Sequence, residues 1–153
     1  MPTPHWYARR YPTLYDLQTY AQNLGALVRF APIGDLALYI AGEGEEPPVI
    51  LLPEGQGPLL IHWLLAHELG HVALHAGPRG ELLYDKDERA ADRWAACALI
   101  PEAAVRRHKN ASLDAFIGAL SAHFEDIPMR DCPQRRLAAH IAMIRLRAVR
   151  EVA

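Results

Sequence analysis

The sequence predicts an α+β fold, and the order of its segments gives this class. One helix-forming segment comes first, three short β-prone segments follow closely, and the remainder is predicted to be helical. The closeness of the β-prone segments predicts a small, mostly antiparallel sheet. Because 153 residues suit one domain of ordinary size, we expect a single domain over residues 1–153 with its core at about 13–125.

The N-terminal elements are marked by a cap and by turn residues. A first helix is predicted over Thr13–Leu24, because Thr13 can cap it, apolar residues recur at helical spacing and Gly25 is a natural stop. Turns rich in proline and glycine separate the β-prone segments. These segments are Leu27–Phe30, Leu36–Ile40 and Pro48–Leu52.

The helices after the sheet are bounded by prolines and glycines, and Pro58 suits a first helical position. The last helix, at about residues 134–150, is amphipathic and rich in arginine. Its arginines (135, 136, 145, 147 and 150) are predicted to form a solvated face, with Met143 or Ala148 turned inward beside the aliphatic residues. The predicted helices are Pro58 to about His75, about Lys86 to Ile100, a short Pro101–His108, Ser112–Phe124 and Gln134–Val149.

Composition excludes several classes of protein. The formal net charge of −2 gives no electrostatic argument for binding nucleic acid or acidic lipid. No run reaches the roughly 18 apolar residues of a membrane span, and the N-terminus lacks the apolar segment of a signal peptide. Cys97 and Cys132 are expected to be free thiols, with one disulfide as the alternative. We therefore expect a cytoplasmic protein.

The sequence His67-Glu68-Leu69-Gly70-His71 is an H-E-x-x-H motif in a strongly apolar helix. Residues four apart differ by about 40° around a helix, so His67 and His71 project from one face and can take two corners of a zinc tetrahedron. Glu68 is offset and can act on a zinc-bound water as the catalytic base. The alternative is a buried histidine pair hydrogen-bonded to backbone or to Glu68, although burying three ionisable groups without compensation is costly.

A catalytic zinc needs a third protein ligand, and the following helix offers one. A third histidine of the metzincin type is excluded, because Gly77 occupies the position that would hold it. Glu88 on the next helix can supply the ligand. Asp92, one turn on, can accept the second ring N–H of a ligand histidine and so orient its ring. The alternative for both carboxylates is a solvated acidic face.

The segments "AHELGHVALH" and "ERAADRWAACALIP" together resemble the ImmA/IrrE family of zinc metallopeptidases over roughly residues 14–101. The resemblance implies a zincin-like fold whose zinc is held by His67, His71 and Glu88, with Glu68 catalytic. It also implies a protein substrate, for example a helix-turn-helix repressor. Three positions depart from the family's pattern, and none of them removes a ligand. Asp92 stands in place of the usual asparagine, Trp94 in place of the usual phenylalanine, and His62 in place of a frequent arginine.

Other polar residues are compatible with several roles. His75 suits the end of its helix or a position beside the ligands, while as a fourth ligand it would make the zinc structural. A peptidase also needs a donor to the developing oxyanion. The candidate donors are Tyr39, Tyr84, His108 and His123.

We therefore expect a zinc-dependent endopeptidase, with manganese as the alternative metal. Its substrate would lie extended against the edge of the sheet. The alternative function is a metal-containing regulatory or antitoxin-type binding module that does not cut its partner.

Overall fold

The computed structural model describes residues 3–74, 84–108 and 111–152 of the chain. The described residues form helices and one three-stranded sheet, so the α+β class is confirmed. Each helix lies within about three residues of its predicted bounds. In chain order the elements are α1 Leu14–Asn23, β1 Leu27–Ala31, β2 Leu38–Ile40, β3 Val49–Pro53, α2 Pro58–Leu74, α3 Tyr84–Leu99, α4 Glu102–Arg107, α5 Leu113–His123 and α6 Pro133–Val152.

Helix α1 begins at the predicted cap. The Thr13 hydroxyl accepts a hydrogen bond from the Asp16 backbone amide at 3.1 Å, and the Asp16 carboxylate accepts one from the Thr13 amide at 2.7 Å. This reciprocal pair satisfies two amides that a helix N-terminus leaves open. Asp16 is buried and also accepts a hydrogen bond from Arg10 at 2.9 Å, which holds the pKa of its carboxyl well below the usual range.

The sheet is mixed, which corrects the expectation of a mostly antiparallel sheet. Its strand order is β1-β3-β2, with β3 parallel to β1 along five residue pairs and antiparallel to β2 along three. Strand β3 takes the centre because its apolar side chains, above all Ile50 and Leu52, are fully buried beneath the helices. With the third strand in the centre, β1 and β2 lie on opposite edges and do not pair as a hairpin.

The core lies between the sheet and the helices. Side chains from β3, α2, α3, α5 and α6 form one buried apolar cluster, and the indole of Trp6 donates a hydrogen bond to the Ala98 carbonyl at 2.9 Å. In α6, Ala148 is buried and Met143 is half exposed. Arg145 is also buried, so the prediction that all the arginines of this helix are solvated is wrong at that position.

Cys97 and Cys132 are free thiols, as predicted. None of the helices in the described ranges is long and apolar enough to cross a membrane.

Candidate metal centre

Helices α2 and α3 bring three predicted ligands to one point. His67 and His71 lie one turn apart on α2, and Glu88 faces them from α3. The Glu88 carboxylate is 2.6 Å from His71 Nε2 and 3.2 Å from His67 Nε2, and the two Nε2 atoms are 3.2 Å apart. One ligand atom from each of the three residues lies within 4.8 Å of the others. The arrangement therefore offers three converging donors.

The close approach of the two helices depends on Gly70. A Cβ atom added at Gly70 would lie 2.8 Å from the carbonyl oxygen of Ala91 and 3.0 Å from its Cα atom. Ala91 and Ala95, both fully buried, present small side chains on the facing side of α3. Gly70 was not identified from the sequence, although a glycine inside an apolar helix is a signal, since it costs about 1 kcal/mol relative to alanine.

Asp92, one turn beyond Glu88 on α3, contacts the ring of His67. Its Oδ1 atom lies 2.7 Å from His67 Nδ1. With the proton on Nδ1 donated to Asp92, the neutral imidazole presents the lone pair of Nε2 to the point where Glu88 and His71 meet.

The electrostatics of the cluster are dominated by its carboxylates. Burial lowers the pKa of His67, but the hydrogen bond to Asp92 and the charges of the nearby carboxylates outweigh it and raise the pKa overall. For Glu68, burial raises the pKa, His67 and His71 oppose this, and Glu88 adds to it. Three carboxylates thus surround two imidazoles.

Imidazole nitrogen and carboxylate oxygen are donors that suit Zn²⁺, and His₂Glu is a donor set of catalytic zinc sites. A divalent cation would also balance the excess of negative charge. The residues present therefore fit a zinc ion in both their geometry and their chemistry.

Trp63 lies beside His67, His140 lies beside Trp63, and neither was identified from the sequence. The indole ring of Trp63, buried on α2, has its centroid 6.2 Å from that of His67. His140 of α6 lies edge-on to the same indole, with the ring centroids 5.8 Å apart. Trp63 is one turn before His67, a spacing that could have found it, whereas His140 reaches Trp63 only through the packing of α6.

The remaining candidates lie elsewhere. His123 stacks on Tyr11 with ring centroids 3.6 Å apart, His108 lies edge-on to Phe116, and Tyr39 is half exposed on β2. Within the described ranges, no hydrogen bond, ion pair or ring contact joins these three candidate donors to the cluster. The two other residues considered, His75 and the side chain of Tyr84, are outside the described part of the chain.

His62, which departs from the family's pattern, lies near the start of α2. Its Nδ1 atom is 2.6 Å from the Pro58 carbonyl and its ring packs against Phe124. Its described contacts are thus with the start of α2 and with the residue that follows α5.

Comparison with known protein families gives a match over most of the chain. The family Peptidase M78, described as the IrrE N-terminal-like domain, matches residues 21–125, a range that contains the sheet and both helices of the candidate centre. No curated protein and no solved structure matches the chain.

Proposed function

The chain belongs to Peptidase M78, the family of IrrE N-terminal-like domains, and from this premise we propose that it is a zinc-dependent endopeptidase acting on a protein. Membership makes the chain a metallopeptidase of the ImmA/IrrE type. The observation that carries the finer proposal is the convergence of His67, His71 and Glu88 with Glu68 beside them.

In the proposed mechanism His67, His71 and Glu88 hold the zinc. Bound there, zinc supplies Lewis acidity at the scissile carbonyl and makes water acidic enough to attack near neutral pH. Glu68 takes the proton of the attacking water on a carboxylate oxygen and delivers it to the nitrogen of the leaving amine. Asp92 keeps the His67 ring in one tautomer and one orientation throughout.

For the substrate we propose an extended segment of a protein, with a helix-turn-helix repressor as the first candidate. Support comes from β2, which is an edge strand of the sheet, so its outer backbone groups are not paired with β1 or β3. An extended peptide can add to such an edge through main-chain hydrogen bonds. Manganese is the alternative metal, because the same donors accept it.

The test compares wild-type protein with Glu68→Gln and, as a control, Glu54→Gln in an exposed loop. Each protein is loaded with zinc, its metal content is measured by mass spectrometry, and it is incubated with a candidate repressor with and without chelator. We expect all three to hold one zinc, and wild type and Glu54→Gln to give the same fragments. Glu68→Gln should give none.

Cleavage that is equal in wild type and Glu68→Gln would refute the mechanism. Stable binding of the repressor without fragments in any of the three proteins would favour a binding module. X-ray absorption spectroscopy of the zinc-loaded protein separates a catalytic from a structural site, since four protein ligands without a water oxygen would indicate a structural one.

A further inference from the structure

A second cavity lies on the face of α3 opposite Glu88 and Asp92. Its volume is about 330 Å³, within the range of small-molecule sites. At about 100° per residue, Ala90, Trp94 and Cys97 project away from the metal-facing side of α3 and line this cavity. The rest of the wall comes from the end of α2, from α6 and from the N-terminal segment, and much of it is apolar.

Arg145 is the buried charged group of this cavity, whose wall also includes Arg93, an exposed side chain that pairs with Glu151. Its side chain lines the cavity and is only 5% exposed. The guanidinium Nε donates to the Ile100 carbonyl at 2.6 Å, one terminal nitrogen donates to the Tyr7 hydroxyl at 3.3 Å, and the group lies 5.9 Å from the centroid of the Tyr7 ring. These contacts use two of its five N–H donors.

The charge of Arg145 has no counter-ion among the side chains that the structure describes. No carboxylate of those side chains lies within ion-pair distance of its guanidinium. A buried cation without a partner costs several kcal/mol, so such groups are ordinarily paired. The bond to Ile100 ties α6 to the end of α3, but a neutral donor would serve that purpose without burying a charge.

We propose that this cavity binds a small monoanionic carboxylate with an apolar body, whose carboxylate pairs with Arg145. A guanidinium offers carboxylates two parallel hydrogen bonds. The described contacts of Arg145 with Ile100 and Tyr7 leave it with further N–H donors. The apolar part of the ligand packs against Trp94, Leu74 and Ala148. This site is independent of the peptidase function, because it shares no residue with the metal centre.

Octanoate is a suitable probe, with octanol as its neutral counterpart. Full-length protein is titrated with each compound by isothermal titration calorimetry. Arg145→Gln removes the buried cation, and Ala90→Leu adds bulk to the cavity wall while Arg145 stays in place. The matched controls are Arg150→Gln, an exposed arginine of the same helix, and Ala122→Leu, an exposed alanine of α5.

We expect saturable octanoate binding to the wild-type protein, weaker by roughly ten- to a hundredfold in Arg145→Gln and in Ala90→Leu. The two controls should bind as wild type does, and octanol should bind at least about tenfold more weakly. If Arg145→Gln proves unfolded by circular dichroism, Ala90→Leu decides alone. The proposal is overturned if octanoate does not bind, if octanol binds equally well, or if Ala90→Leu keeps the wild-type affinity.

Discussion

Replacement of Gly70 by alanine tests whether the spacing of α2 and α3 sets the metal affinity. The new Cβ atom would lie 2.8 Å from the Ala91 carbonyl oxygen, whereas ordinary van der Waals contact begins at 3.4 Å. The two backbones must therefore separate by about 0.6 Å, the difference between these distances. A backbone contact of this kind cannot be relieved by a side-chain rotation.

Two opposing effects decide the stability of Gly70→Ala. Overpacking costs about 1–3 kcal/mol, and alanine is better than glycine inside a helix by about 1 kcal/mol. The free energy of unfolding of the metal-free protein should therefore fall by about 0–2 kcal/mol. Zinc affinity should suffer more clearly, since metal sites tolerate displacements of only about 0.2 Å, and we expect a loss of at least about tenfold.

The assay separates these two effects. Urea unfolding of the metal-free protein gives the stability, and competition with a chromophoric chelator gives the zinc affinity. Gly118→Ala on α5 is the matched control, because a Cβ there would meet nothing within 4 Å. It should raise stability by about 0.4–1 kcal/mol and leave zinc affinity unchanged. The reasoning is refuted if Gly70→Ala gains stability as the control does and also keeps the wild-type zinc affinity.

Three further changes test single contacts. Asp92→Asn should weaken zinc binding by roughly ten- to a hundredfold in the same competition assay, because His67 loses a charged orienting partner; an unchanged affinity would argue against that role. Asp16→Asn should cost about 1 kcal/mol of unfolding free energy at pH 7. Folding lowers the pKa of Asp16, so the carboxylate stabilises the fold fully above the unfolded pKa of about 3.9, and this stabilisation is lost as the pH falls below that value. The unfolding free energies of wild type and variant should therefore converge in acid. A difference that stays constant with pH would contradict this assignment. Glu125→Ala removes the carboxylate that accepts a hydrogen bond from the Leu59 amide at 2.9 Å in the first turn of α2. Thermal unfolding should show a stability lower by about 1 kcal/mol than that of an exposed control such as Glu54→Ala. Equal melting temperatures would show that the hydrogen bond contributes nothing to stability.

The parts of the fold that could be predicted are those with local signals. Thr13, Pro58 and Pro101 lie at or next to the starts of their helices because a cap or a proline acts within one turn. The strand order has no such signal, since it depends on which strand the helices cover. Arg145 had a signal that was missed, because it shares the inward face of α6 with Ile141 and Ala148 at helical spacing.

The candidate site was predictable for a similar reason. His67 and His71 share a face through their spacing alone, and Glu88 and Asp92 do so on α3. What spacing could not give is the distance between the helices, which depends on the absence of a side chain at Gly70.

The partial exposure of the cluster bears on why an apolar helix carries three ionisable groups. The side chains of His67, His71 and Glu88 are 15%, 25% and 35% exposed, so the metal-facing side of α2 lies at the margin of the core. The desolvation cost is therefore smaller than full burial would impose, while Asp92 and Glu88 compensate what remains. A structural zinc gains from complete enclosure by four protein ligands, whereas a catalytic zinc must leave a position open to water and to the substrate carbonyl. Three converging donors among the residues that the structure describes, at a partly open margin, meet the second requirement, and this favours a peptide-cutting role for the centre over a structural one.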